Sequence, residues 1–144
     1  MTTDPYTPDL IALAADIPHL GRLSAPHGSA RKVSRICGSE LDLDLCVEDG
    51  RISAIGLEVR ACALGQASAS VFARAALGAT LDDVCEARDG LKAMLQTGAA
   101  PPQGRFAGLA VLEGARAYRQ RHGSILLAFD AAVEAMEAAS VRAA

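Results

Sequence analysis

The chain reads as an α+β domain, strands first and most helices after, on three observations. Leu41, Leu43, Leu45 and Val47 alternate with Asp42, Asp44, Cys46 and Glu48, the period of two that a half-buried strand requires. Asp49-Gly50 follows directly, a dipeptide suited to a type I′ hairpin turn because both positions take positive φ. From Ala63 onward apolar residues recur at helical spacing. That order is not the strand–helix alternation of a parallel sheet.

Each element has its own local signal. Asp9 to Ala15 forms a short helix, with Leu10, Leu13 and Ala14 on one face and Pro8-Asp9 suited to its start. Ile17-Pro18 ends it, and His19 to Ala30 is a loop broken by Gly21, Pro26 and Gly28. Ser29 to Ile36, with Arg31, Lys32 and Arg35, suits a short edge strand. The hairpin returns over Ile52 to Val59, where the apolar phase slips between Ile52/Ala54 and Ile55/Leu57/Val59. A bulge near the slip would absorb it. Leu64, Ala67, Val71 and Ala75 share a helix face, with Gly78 as its stop. Thr80 with Asp83 resembles a capping box opening a second helix, carried by Val84, Leu91 and Leu95 to Gly98. Pro101-Pro102 marks a loop, Phe106 to Tyr118 a further short helix, and Ser124 the start of the last, faced by Leu126, Phe129, Val133 and Met136.

At 144 residues one domain over 1–144 is the natural count. Hydrophobic residues at 51% and charged residues at 22% fit a globular fold and exclude a disordered one. Aromatics are 3%, so Leu, Ile, Val and Ala must build the core. A net charge of −3 gives no general electrostatic reason to bind nucleic acid or an acidic membrane. No apolar run approaches the roughly 20 residues of a membrane span. Met1 to Asp4, followed by Pro5 and Pro8, lacks the layout of a signal peptide. The expectation is a cytoplasmic domain.

Without an export signal, Cys37, Cys46, Cys62 and Cys85 do not suggest a disulfide framework. The hairpin sorts them. With Glu48 facing Arg51 across the turn, the continued register sets Cys37 opposite Cys62, give or take the residue a bulge would add. Cys37 precedes Gly38, which opens the backbone, and Cys62 immediately precedes a helix, whose N-terminal dipole favours a thiolate. The pair is either a working site or two packed small hydrophobes. Cys46 on the polar strand face and Cys85 beside Val84 read as packing residues. His122, ahead of Gly123-Ser124, is either a surface or capping residue or a ligand reaching over the sheet end.

These residues make a pattern. Cys37-Gly38-Ser39 before the alternating strand, Ala61-Cys62-Ala63-Leu64-Gly65-Gln66-Ala67-Ser68-Ala69-Ser70, and Arg121-His122-Gly123-Ser124-Ile125-Leu126 opening the last helix together resemble the U-type iron–sulfur cluster scaffold family. These are the NifU N-terminal-domain-like, IscU-like proteins, and the similarity runs roughly from Asp9 to the final helix. The resemblance implies a three-stranded antiparallel sheet packed against helices. It also implies a site at the sheet end where three cysteines and an aspartate hold a nascent cluster or zinc, with a histidine as a further ligand. Here the first two cysteines fall on Cys37 and Cys62, the aspartate on Ser39 and the third cysteine on Gly123, while His122 is retained. Cys37, Cys62 and His122 are thus the expected ligands of a transient iron–sulfur cluster, iron or zinc, with Ser39 a weak fourth.

Zinc takes four ligands, or three and water, and a [2Fe–2S] cluster takes four. The chain alone should therefore hold a cluster weakly, and a homodimer sharing one would supply the shortfall. The resemblance implies a scaffold or carrier rather than an enzyme, with a cysteine desulfurase and recipient apoproteins as partners. One alternative is a zinc-modulated sulfur acceptor using Cys62 or Cys37. The other is a degenerate, metal-free interaction module.

Overall fold

The computed structural model describes residues 4–143; Met1 to Thr3, which entered the signal-peptide reading, lie outside them. Helix α1 spans Pro8–Ala15, and its N-cap Thr7 accepts a hydrogen bond from the Leu10 N–H. Strands β1 (Gly28–Ser34), β2 (Ser39–Glu48) and β3 (Arg51–Arg60) form an antiparallel sheet in that spatial order. Helices α2 (Ala63–Ala75), α3 (Leu81–Thr97) and α4 (His122–Ala143) follow, with 3₁₀ segments at Gly104–Ala115 and Arg119–Arg121 between the last two. The fold is α+β, as its sequence predicts. Among the described residues no helix is long and apolar enough to cross a membrane.

The hairpin follows its local chemistry. Asp49 and Gly50 take φ of 54° and 75°, the left-handed pair that a type I′ turn demands. Pairing runs from Glu48↔Arg51 to Val47↔Ile52, then shifts, so that Cys46 faces Ala54. Ser53 is the extra residue of the bulge. Its insertion lets Ile52 and Ile55 both enter the core at an odd spacing.

Thr80 and Asp83 exchange both bonds of a capping box at the start of α3, and Gly98 closes that helix in the left-handed region. The expected helix over Phe106 to Tyr118 is instead a 3₁₀ segment, irregular at Phe106. Its buried residues, Phe106, Leu109, Leu112 and Ala115, recur every three positions. That is the 3₁₀ repeat and not the 3.6 of an α-helix. The last helix begins at His122, two residues before Ser124.

The core lies between the sheet and the helices. The three phenylalanines meet there, with Phe129 edge-on to Phe72 and Phe106 at 5.4 Å. Helix α4 lies close on β1, because a Cβ at Gly28 would overlap the Ala135 carbonyl. Asp44, the one polar-phase β2 residue fully covered, accepts hydrogen bonds from the Arg22 guanidinium at 2.7 and 2.9 Å, the Ser29 hydroxyl and the Leu23 N–H. At the end of the sheet away from the hairpin turn, the β1–β2 turn, the β3–α2 junction and the start of α4 come together.

Candidate functional site

Cys37 sits in the turn between β1 and β2, followed by Gly38 at φ 71°. Cys62 is the N-cap residue of α2, and its side chain makes no capping bond. The direct register expected for the two is not what joins them. The bulge moves the pairing by one residue, and the ladder ends at Glu40↔Arg60, short of either cysteine. Serine hydroxyls link them instead. The Cys62 thiol donates to Ser124 Oγ at 3.5 Å, Ser124 donates to Ser39 Oγ at 2.9 Å, and the Cys37 thiol reaches the same Ser39 Oγ at 3.4 Å and Ser34 Oγ at 3.2 Å. Ser39 and Ser124 are 2% and 1% exposed, while both cysteines are half-buried. The hydroxyls form the floor of the site and the thiols its lip.

This setting changes Cys37. Burial alone would push its thiol up. Hydrogen bonds to the thiolate from the Ser34 and Ser39 hydroxyls, the Ser39 N–H and the Ser124 hydroxyl outweigh that and bring it down to about 7. A substantial fraction is therefore thiolate at neutral pH, the form that attacks sulfur and binds metal.

The other expected residues separate clearly. Ser39 is in the site, as a hydrogen-bond partner of Cys37. His122 heads α4, but its Nε2 lies 3.2 and 3.0 Å from the carbonyls of Ala115 and Arg116, so that nitrogen is turned back onto the 3₁₀ segment. Cys46 donates to the Ala25 carbonyl, and burial pushes the Cys85 thiol up. Both lie outside the hydroxyl-linked cluster. Among the described residues no three His, Cys, Asp or Glu side chains are grouped to hold a metal ion. Two thiols and neutral hydroxyls do not make a closed four-ligand centre from this chain alone.

Two members of the site, Ser34 and Ser124, have no role in the sequence reading. A glycine points to one of them: a Cβ at Gly65 would overlap Ser124 Oγ. The small residue in the α2 motif leaves room for the hydroxyl.

Comparison with known proteins places the fold in a family. The NifU-like N-terminal domain family matches residues 6–124. The crystal structure of a nitrogen-fixing NifU-like protein (N-terminal) from Brucella abortus is 38% identical, with 94% of each chain covered and a TM-score of 0.92. A putative iron–sulfur cluster assembly scaffold protein for the SUF system from Fervidobacterium islandicum shares the fold at 19% identity and a TM-score of 0.83, over 92% of this chain and 96% of its own. No curated protein matches. With the family match spanning most of the sequence, and a thiol pair at the sheet end, the chain belongs to the NifU-like N-terminal domain family.

Proposed function

We propose that this chain, a single domain over residues 1–144, is an iron–sulfur cluster assembly protein that receives sulfur and iron at Cys37 and Cys62. The observation that carries the reading is the hydroxyl-linked thiol pair on a NifU-like fold. The cluster is cargo here. A cysteine desulfurase supplies the sulfur, recipient apoproteins take the product, and the protein acts as a carrier in the reducing cytoplasm, where thiols stay free. Ser39 orients Cys37, and His122, whose Nε2 lies against the Ala115 and Arg116 carbonyls, would join the ligand set through Nδ1.

The test is anaerobic reconstitution with iron, free cysteine and a cysteine desulfurase, followed by the visible spectrum and iron and sulfide content. Cys37→Ser and Cys62→Ser are expected to abolish cluster formation, while Cys46→Ser and Cys85→Ser retain it. Equal losses in all four variants would overturn the site assignment.

The lowered Cys37 thiol also favours a second reading, sulfur acceptance as a separable step. The Cys37 thiolate attacks the outer sulfur of the desulfurase persulfide. The persulfide S–S bond breaks, a new one forms at Cys37, and the desulfurase cysteine leaves as thiolate, with no net oxidation. Mass spectrometry of desulfurase-treated protein without iron checks this, with persulfide expected on Cys37. Zinc at the pair would block the thiolate and slow the transfer, and a protein that gains neither persulfide nor cluster would be a metal-free interaction module.

A further inference from the structure

Charge is unevenly placed along the chain. The three stretches that bring serines and cysteines to the site, residues 17–39, 59–81 and 114–129, contain nine of the 14 Lys and Arg and none of the 17 Asp and Glu. Carboxylates from elsewhere pair with Arg22, Arg31, Lys32, Arg60 and Arg74. Arg35, Arg116, Arg119 and Arg121 have no ion pair among the described residues.

Three of these unpaired cations flank the thiols. Arg35 precedes Cys37 by two residues in the β1–β2 turn, so the two Cα atoms lie within about 8 Å. Arg121 precedes Gly123 by two, and a Cβ at Gly123 would lie 2.7 Å from Ser34 Oγ, the hydroxyl bonded to the Cys37 thiol. That close approach sets the 3₁₀ turn Arg119–Arg121 beside Arg35, on one rim of the site. Ile36, between Arg35 and Cys37, is 80% exposed. Arginines around a free apolar side chain have the make-up of a protein interface, where such anchors carry much of the binding energy.

We propose that the sulfur donor reaches Cys37 by docking an acidic protein surface on this rim, with Arg35, Arg119 and Arg121 taking its carboxylates and Ile36 its apolar contact. The inference rests on the proposed sulfur-accepting role of Cys37 and adds the chemistry of the donor's docking surface. A guanidinium fork selects carboxylates because it meets both oxygens at once. The donor must bring its outer sulfur within bonding distance of Cys37, and in doing so it covers Arg35 and Ile36. A nucleic acid or an anionic membrane would extend past the rim onto the part of the chain that holds every Asp and Glu.

The test is anaerobic binding of the same organism's cysteine desulfurase, followed by fluorescence anisotropy, with folding checked by circular dichroism. Wild-type affinity is expected to fall about tenfold between roughly 50 and 300 mM sodium chloride. The triple variant Arg35→Glu/Arg119→Glu/Arg121→Glu should bind about a hundredfold more weakly at the lower salt and lose most of that salt dependence. Ile36→Ala should weaken binding about tenfold and keep the salt dependence. Lys92→Glu, an exposed cation on α3, should stay within about twofold of wild type. Wild-type protein that does not bind, a triple variant at wild-type affinity, or an equal loss in Lys92→Glu would overturn the proposal. So would tighter binding of wild type to a DNA duplex or to phosphatidylglycerol vesicles than to the desulfurase.

Reconstitution with iron and inorganic sulfide, which bypasses the donor, keeps the two levels apart. The triple variant is expected to form cluster there as wild type does. If it fails, the arginines serve the site itself and the docking face falls alone. If Cys37→Ser and Cys62→Ser still form cluster, the cargo role of the pair fails, and the anisotropy result judges the docking face separately.

Discussion

Hydrogen bonds from three serines outweigh burial at Cys37 and bring its thiol down to about 7. Its alkylation rate by iodoacetamide is expected to rise with a midpoint near pH 7, where the thiol now titrates. Cys85, whose thiol burial pushes up, should react only at higher pH. Replacing Ser34 and Ser39 together by Ala removes two of the hydrogen bonds and should return the Cys37 midpoint toward ordinary thiol values; peptide mapping after timed alkylation reads both. Because ionisation in the folded state is favoured over the unfolded one, the associated stability is present above the ordinary thiol value and disappears as pH falls through about 7. The two cysteines were legible in the sequence through their neighbours, Gly38 and the helix after Cys62. Ser34 and Ser124 were not. A serine carries no charge and no periodic signal, and these two gain their role only when the β1–β2 turn folds onto α4.

Elements with reciprocal local chemistry could be read from residues alone. The alternation of β2, the Asp49-Gly50 turn and the Thr80/Asp83 box all depend on contacts within a few positions. Thr80→Ala is expected to lower stability by about 1 kcal/mol, measured by urea unfolding, since it strips the N-cap of α3. The 3₁₀ segment was not legible because Ala107, Ala110 and Val111 are apolar as well, so no single period stands out along it. Its identity comes from the surface it packs on. The α2–α4 approach is likewise a tertiary fact. Gly65→Ala puts a methyl group into the space of Ser124 Oγ and should cost about 1–3 kcal/mol. It should also reduce zinc or cluster uptake even where the protein remains folded, because the intruding methyl displaces the floor of the site.

At the scale of the whole molecule, the buried carboxylate on the outer sheet face contributes to the response to acid. Asp44 titrates at about 2, held there first by hydrogen bonds from Arg22, against burial, and then by Ser29 and the Leu23 N–H. A carboxyl depressed in the folded state contributes stability above its ordinary value of 3.8 and loses it as pH falls toward 2. Arg22→Met takes the strongest partner from a carboxylate that is 1% exposed in the native chain. The variant is expected to be less stable at pH 7, though by less than the loss of a fully buried pair, because Arg22 is half exposed. Thermal unfolding at pH 7 and pH 3 checks it, with a smaller difference at the lower pH. The sequence pattern placed Asp44 on the solvent face, and the loop carrying Arg22 covered it. The hydroxyl-linked cluster has a similar long-range origin, since Cys62 and Ser124 stand 62 residues apart. An ion gripped by Cys37 and Cys62 therefore acts as a reversible crosslink between segments that meet only in the native chain. Loading should raise the melting temperature, by an amount that grows with the logarithm of free metal. The reverse also holds: a recipient that prises the β1–β2 turn from the start of α2 would draw the two thiols apart and loosen the grip on cargo without itself touching a metal–sulfur bond.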